Sequence, residues 1–138
     1  MNISLTVSTQ HEQNGETTKE EFTVPGTLIN AGGVTKLRYR EPGEGMEKVI
    51  TTVCIYPCEV QIRRAGAAPM VFISGKRTLC DYPTEYGTLK LGISSSLVRS
   101  AIGEESGLVR LKYLLDVDGK PTSQVTCRLS YTVTQDHQ

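Results

Sequence analysis

Two charged residues, Glu41 and Arg64, stand where the sequence pattern predicts apolar side chains. Glu41 ends a stripe of alternate apolar residues that begins at Leu37, and Arg64 ends a similar stripe that passes through Val60. Successive side chains of a strand point to opposite faces, so both charges are expected on the buried face. Because a buried charge without a partner is costly, the two residues are expected to pair, to reach water at a rim, or to contact a ligand.

Tyrosines could complete a binding site around this arginine, because each combines an apolar body with a polar hydroxyl. Tyr39 shares the stripe of Glu41, and Tyr113 lies in the longest apolar stripe of the chain. The candidate ligand-binding residues are therefore Arg64, Glu41, Tyr39, Tyr86 and Tyr113. The alternative is structural: an Arg–Glu pair that closes one end of the fold.

The segment 82–87, with the sequence YPTEYG, is interpreted first as architecture. Pro83 lacks a backbone donor and fixes φ, so it belongs before the central part of a strand. Gly87 fits a bulge or bend that lets the next strand curve. A lining role for Tyr86 is the second interpretation.

The sequence contains few residues that could support other catalytic chemistry or bind a metal. The two histidines, His11 and His137, lie in a predicted loop and in the tail, so neither is expected to serve a nucleophile as its base. Cys54, Cys58 and Cys80 could contribute to a zinc site, but the second closely spaced pair of such motifs is missing. We expect no catalytic residue, no metal and no cofactor.

A basic outer face is the alternative site, with RNA or a protein as the partner. Alternation explains its residues equally well as solvated strand positions, and outward aromatic residues are scarce, so nucleic acid is not the expected partner. The residues of this face are Lys36, Arg38, Arg40, Lys48, Arg63, Lys76 and Arg77.

The elements that must position these residues are strands, because nearly every segment alternates apolar and polar residues with a period of two. The longest stripe runs from Val109 to Val117, and another runs from Val125 to Val133. Parallel strands covered on both faces would instead show unbroken apolar runs, and crossover helices would show a period of 3.6. Asp118-Gly119 is a strong signal for a two-residue hairpin. The sequence therefore predicts antiparallel strands joined mostly to their neighbours.

One short helix is expected after Ser95 or Ser96, through Leu97–Ile102, with Gly103 as its stop. Closure would remove the exposed edges of so many strands. The predicted fold is all-β: an antiparallel meander closed into a calycin- or lipocalin-like barrel of about 8–10 strands with one short helix. Residues 1–138 are expected to form this single barrel domain.

Length and charge limit the functional classes. The chain has 138 residues with 15 basic and 15 acidic side chains, so no overall field attracts nucleic acid or an anionic membrane. Its apolar runs are far shorter than the roughly 20 residues of a membrane helix. The start of the chain lacks the features of a secretion signal, so a cytoplasmic protein with reduced thiols is expected.

Several segments together resemble the bacterial YwiB-like family, whose function is unassigned. The resemblance spans about residues 3–134 and rests on LRYRE (37–41), IRRAG (62–66), MVFISGK (70–76), YPTEYGTLKL (82–91) and GLVRLKYLLDVDG (107–119). It implies a calycin-like β-barrel, a fold whose interior often holds a small molecule, and it implies no known active site.

The leading functional hypothesis is therefore a barrel without enzymatic activity that binds a small anionic or amphipathic ligand in the barrel or at its mouth, around Arg64. An interaction or scaffold protein that acts through its outer face is the alternative, and an enzyme is third. An edge strand or the short helix could mediate a homodimer.

Overall fold

The computed structural model describes residues 1–45 and 48–134, so His137 lies outside the described residues. Ten strands account for most of this chain. They are β1 (Asn2–Gln13), β2 (Glu16–Ala31), β3 (Val34–Arg40), β4 (Ile50–Tyr56), β5 (Glu59–Arg64), β6 (Met70–Phe72), β7 (Arg77–Thr84), β8 (Gly87–Ile102), β9 (Ser106–Val117) and β10 (Lys120–Val133).

The strands form one antiparallel sheet in the order β6-β5-β4-β3-β2-β1-β10-β9-β8-β7. Strands adjacent in sequence are neighbours in the sheet, except that β6 and β7 lie at its two opposite ends. In addition, the last strand, β10, pairs with the first, β1. Short turns make these hairpins possible: Asn14-Gly15 and Asp118-Gly119 have positive φ at both positions. The predicted hairpin at Asp118-Gly119 is thereby confirmed.

The sheet curves into a barrel, because its end strands β6 and β7 meet. The barrel is only nearly closed, because no ladder of backbone hydrogen bonds joins these two strands. The Thr78 hydroxyl donates a hydrogen bond to the Val71 carbonyl across this seam at 2.5 Å. The Cys80 thiol similarly approaches the Ala68 carbonyl at 3.6 Å. The predicted antiparallel all-β barrel is therefore confirmed.

The barrel interior is filled with side chains. Alternate residues of every long strand contribute to one apolar core, as the sequence pattern predicts. Residues with no exposed surface include Leu5, Leu37, Val53, Phe72, Ile93, Leu111 and Val125. Among the described residues, these side chains fill the interior between the strands, so a ligand inside the barrel would have to bind towards one of its ends.

The predicted short helix is wrong. No helix occurs among residues 1–45 and 48–134, and the segment after Ser95 belongs to β8, which pairs with β9 as far as Ile102. The register shifts between Ser95 and Leu97, so an extra residue interrupts the alternation there. Because of this bulge, the consecutive apolar residues Leu97 and Val98 break the strict alternation of a strand, and the resulting pattern resembles that of a helix.

None of the described segments is a helix long and apolar enough to span a membrane.

Candidate functional site at the barrel rim

The candidate site is built on a row of residues that face one another across three neighbouring strands. Thr51 on β4 lies opposite Tyr39 on β3 and opposite Arg64 on β5. All three positions face inward, because Thr51 and Tyr39 alternate with outward residues and are buried. Glu41 follows β3 directly and donates its backbone N–H to the Val49 carbonyl at 2.9 Å, which holds it beside this row.

Hydrogen bonds connect the side chains of this cluster. The Arg64 Nε donates to the Thr51 hydroxyl at 3.0 Å, and that hydroxyl donates to Glu41 Oε1 at 2.5 Å. Arg64 Nη2 forms an ion pair with the same Glu41 oxygen at 3.1 Å. The structure thus brings Glu41 and Arg64 together as a pair, with Thr51 bridging them.

The two partners differ in exposure. The Arg64 side chain is 42% exposed, whereas that of Glu41 is 12% exposed. Arg64 therefore lies at the rim of the barrel, with its guanidinium held towards Glu41 and part of its surface in contact with solvent.

Burial raises the pKa of the Tyr39 hydroxyl well above its usual range, and the Glu41 carboxylate adds to this effect. Arg64 and Thr51 oppose it. Burial likewise raises the pKa of Tyr113, with Cys127 adding and Arg64 opposing. Both phenols therefore stay protonated to higher pH than an ordinary tyrosine, and a protonated phenol can donate a hydrogen bond.

The structure does not place every predicted residue in the cluster. Tyr39, Glu41 and Arg64 come together around Thr51. The ring of Tyr113 instead packs in the core, with its centroid 4.8 Å from that of Phe72, and Tyr86 is 97% exposed. It occupies the two-residue turn between β7 and β8, where Thr84 accepts a hydrogen bond from the Tyr86 backbone N–H at 3.2 Å. A side chain at a hairpin tip cannot reach the interior, so the lining role expected for Tyr86 is wrong.

Thr51 is the cluster residue that sequence reasoning missed. It is fully buried and polar. A signal was present, since Thr51 shares its alternation with Val53 and Ile55 and so falls on the buried face. Its two charged partners could not be assigned without the register of β3, β4 and β5.

A mostly apolar groove of about 480 Å³ lies next to the cluster, where β2 and β3 separate. Tyr39 contributes to both the cluster and the groove, and Pro25 and Ile50 supply further apolar surface. Arg38 and Arg40 also line it. The volume is within the range of small-molecule sites, roughly 300–1,000 Å³.

The other candidate groups are dispersed. Cys54 and Cys80 are buried on different strands, and Cys58 is exposed at the turn between β4 and β5. Within the described ranges, no three His, Cys, Asp or Glu residues lie close enough together to hold a metal ion. Of the predicted basic face, Arg63 bonds Gln61 and Arg77 pairs with Asp116 at 2.6 Å.

Comparison with known proteins agrees with this fold. The uncharacterized β-barrel protein YwiB of Bacillus subtilis (strain 168) is 30% identical over 117 residues, which cover 83% of this chain and 82% of YwiB. The crystal structure of the ywiB protein from Bacillus subtilis matches with a TM-score of 0.84 at 26% identity, over 97% of this chain and 92% of that one. The domain of unknown function DUF1934 matches residues 5–129. The chain therefore belongs to the DUF1934 family.

Proposed function

We propose that this protein binds a small anionic or amphipathic molecule at the barrel rim, with Arg64 as the residue that holds the anionic group. The observation that carries the proposal is the fixed and partly exposed guanidinium. A guanidinium has five N–H donors, and its bonds to Thr51 and Glu41 leave others available to a carboxylate or phosphate.

The surroundings favour a ligand with an apolar part. Tyr39 lies opposite Thr51 and lines the adjoining groove, where its ring offers apolar surface. The adjoining groove, with Pro25 and Ile50, extends that surface. Because the barrel core is filled, the ligand is proposed to bind at the rim and not deep inside.

The proposed role is binding without catalysis, as the resemblance to calycin-like barrels implies. We propose a cytoplasmic location, because all four cysteines are free thiols and such thiols persist in a reducing compartment.

Arg64→Met tests the anchoring role with decanoate as the probe and decanol as its uncharged counterpart. We expect the variant to bind decanoate at least about tenfold more weakly, since a charge-assisted hydrogen bond contributes about 1.5–3 kcal/mol. Decanol binding should change little. Isothermal titration gives both affinities, and native mass spectrometry of freshly purified wild-type protein shows whether a molecule is retained.

Two further variants separate binding from folding. Arg63→Met removes the neighbouring arginine, which bonds Gln61 on the other face of β5, and should leave decanoate binding unchanged. Glu41→Gln keeps Arg64 but removes its counter-charge, and should maintain or increase decanoate affinity. Equal decanoate binding by wild type and a folded Arg64→Met protein would refute the proposal.

A further inference from the structure

Three arginines lie directly opposite one another on the outer face of the barrel. Arg110 on β9 faces Arg99 on β8 on one side and Arg128 on β10 on the other. All three side chains are exposed. We call Arg99, Arg110 and Arg128 the arginine row.

The arginine row concentrates charge within a short distance. Neighbouring strands are about 4.8 Å apart, so the three Cα atoms span roughly 10 Å. Like charges directly opposite each other destabilise a sheet. Among the described residues, no acidic side chain forms an ion pair with any member of the row.

Among the described residues, the immediate cross-strand neighbours of the row do not neutralise its charge, and the nearest glutamates line a surface pocket at its Arg128 end. Lys112 lies two residues along β9 on the same face, opposite Leu97 and Thr126. Beyond Arg128, the residue directly opposite on β1 is Ser8, and the residue opposite Ser8 on β2 is the acidic Glu21. The arginine row and Lys112 thus form a compact cationic patch on a protein that has no net charge.

We propose that the arginine row binds an oligophosphate, that is, a linear chain of linked phosphate groups. Guanidinium groups match phosphate oxygens with two parallel hydrogen bonds, and a line of three can engage successive groups of such a chain. A bound anion would also relieve the repulsion within the row.

Nucleic acid fits this face less well. Besides Lys112, the described outward neighbours of the row are aliphatic or hydroxyl residues, such as Leu97, Ala101 and Thr126, and they provide no aromatic surface for stacking bases. The site is also independent of the proposed ligand at the rim, because Arg64 faces inward and the row faces outward.

Arg110→Gln tests the proposal with inorganic tripolyphosphate as the probe. We expect at least about tenfold weaker binding, because the central arginine contributes charge-assisted hydrogen bonds. In the absence of tripolyphosphate we expect a higher Tm at low salt, because two like-charge contacts are removed. Titration calorimetry gives the affinity, and amide chemical shifts should change along β8, β9 and β10.

The matched control is Arg63→Gln, which removes an exposed outward arginine from β5, outside both the row and the rim groove. This control should retain tripolyphosphate binding. Undiminished binding by Arg110→Gln, or an equal loss in Arg63→Gln, would overturn the proposal. Tighter binding of polyuridylic acid than of tripolyphosphate at equal phosphate concentration would also overturn it, because a nucleic acid would then be the better partner.

Discussion

At the scale of single residues, two hydrogen-bond partners in the rim cluster stabilise the largely buried carboxylate of Glu41. The oxygen Oε1 of Glu41 accepts hydrogen bonds from both Thr51 and Arg64. Burial also raises the pKa of Tyr39 in this cluster and of Tyr113 in the core. These side chains therefore link stability to pH at the alkaline end.

We expect the free energy of unfolding to fall as the pH rises above about 10. Tyr39 and Tyr113 stay protonated in the folded protein, whereas unfolded tyrosine loses its proton near pH 10. The stability from each residue is complete below that pH and falls above it by about 1.4 kcal/mol per pH unit until the folded pKa is reached.

Urea unfolding between pH 8 and pH 11 measures this slope. A Tyr39→Phe, Tyr113→Phe double variant should show a smaller decrease with pH. Tyr86→Phe is the control, because Tyr86 is 97% exposed and should leave the slope unchanged. The same slope in the double variant and the wild type would show that these phenols are not the cause.

At the scale of the elements, two glycines allow side chains to cross neighbouring strands. At Gly107 on β9, a Cβ atom would lie 2.3 Å from the ring of Tyr131, which is buried and donates a hydrogen bond to the Gly103 carbonyl at 2.9 Å. At Gly92 on β8, a Cβ atom would lie 2.2 Å from the Asp116 carboxylate. The first neighbour is a packed ring, and the second is the end of a flexible side chain.

We therefore expect Gly107→Ala to be the more damaging substitution. Displacing the packed ring of Tyr131 should lower the free energy of unfolding by about 1–3 kcal/mol, the usual cost of overpacking. Gly92→Ala should break only the Arg77–Asp116 pair, and solvent-exposed ion pairs of this kind contribute little to stability. Chemical denaturation of both variants tests this order, and an equal or larger loss for Gly92→Ala would contradict it.

At the scale of the whole molecule, the barrel is least continuous at the seam between β6 and β7. β6 has three residues and pairs only with β5, whereas β1 pairs along its length with both β2 and β10. Isolated contacts such as the bond from Thr78 to Val71 join the seam. A ladder distributes its stability over many bonds, and a seam of this kind does not.

Native-state hydrogen exchange should therefore show the lowest protection in Met70–Phe72 and the highest in β1 and β10. Thr78→Val removes the bond across the seam and should increase exchange in β6 while leaving β1 unchanged. Ile29→Val, at an exposed position on β2, is the control. Uniform exchange across the sheet would contradict a weak seam.

Local pattern by itself determined much of this protein. Alternation within one strand depends only on neighbouring residues, so it predicts the strands, their inner faces and the inward positions of Glu41 and Arg64. The hairpin at Asp118-Gly119 is local in the same way, because its turn requires positive φ at both positions.

Only the tertiary structure decided which strands lie side by side and in which register. Register places Thr51 between Tyr39 and Arg64, and it aligns three arginines that are far apart in the chain. The segment after Ser95 is likewise a strand because its pairing with β9 outweighs the helix-like pattern that the bulge produces there. These outcomes depend on contacts between distant residues, and no short stretch of sequence contains them.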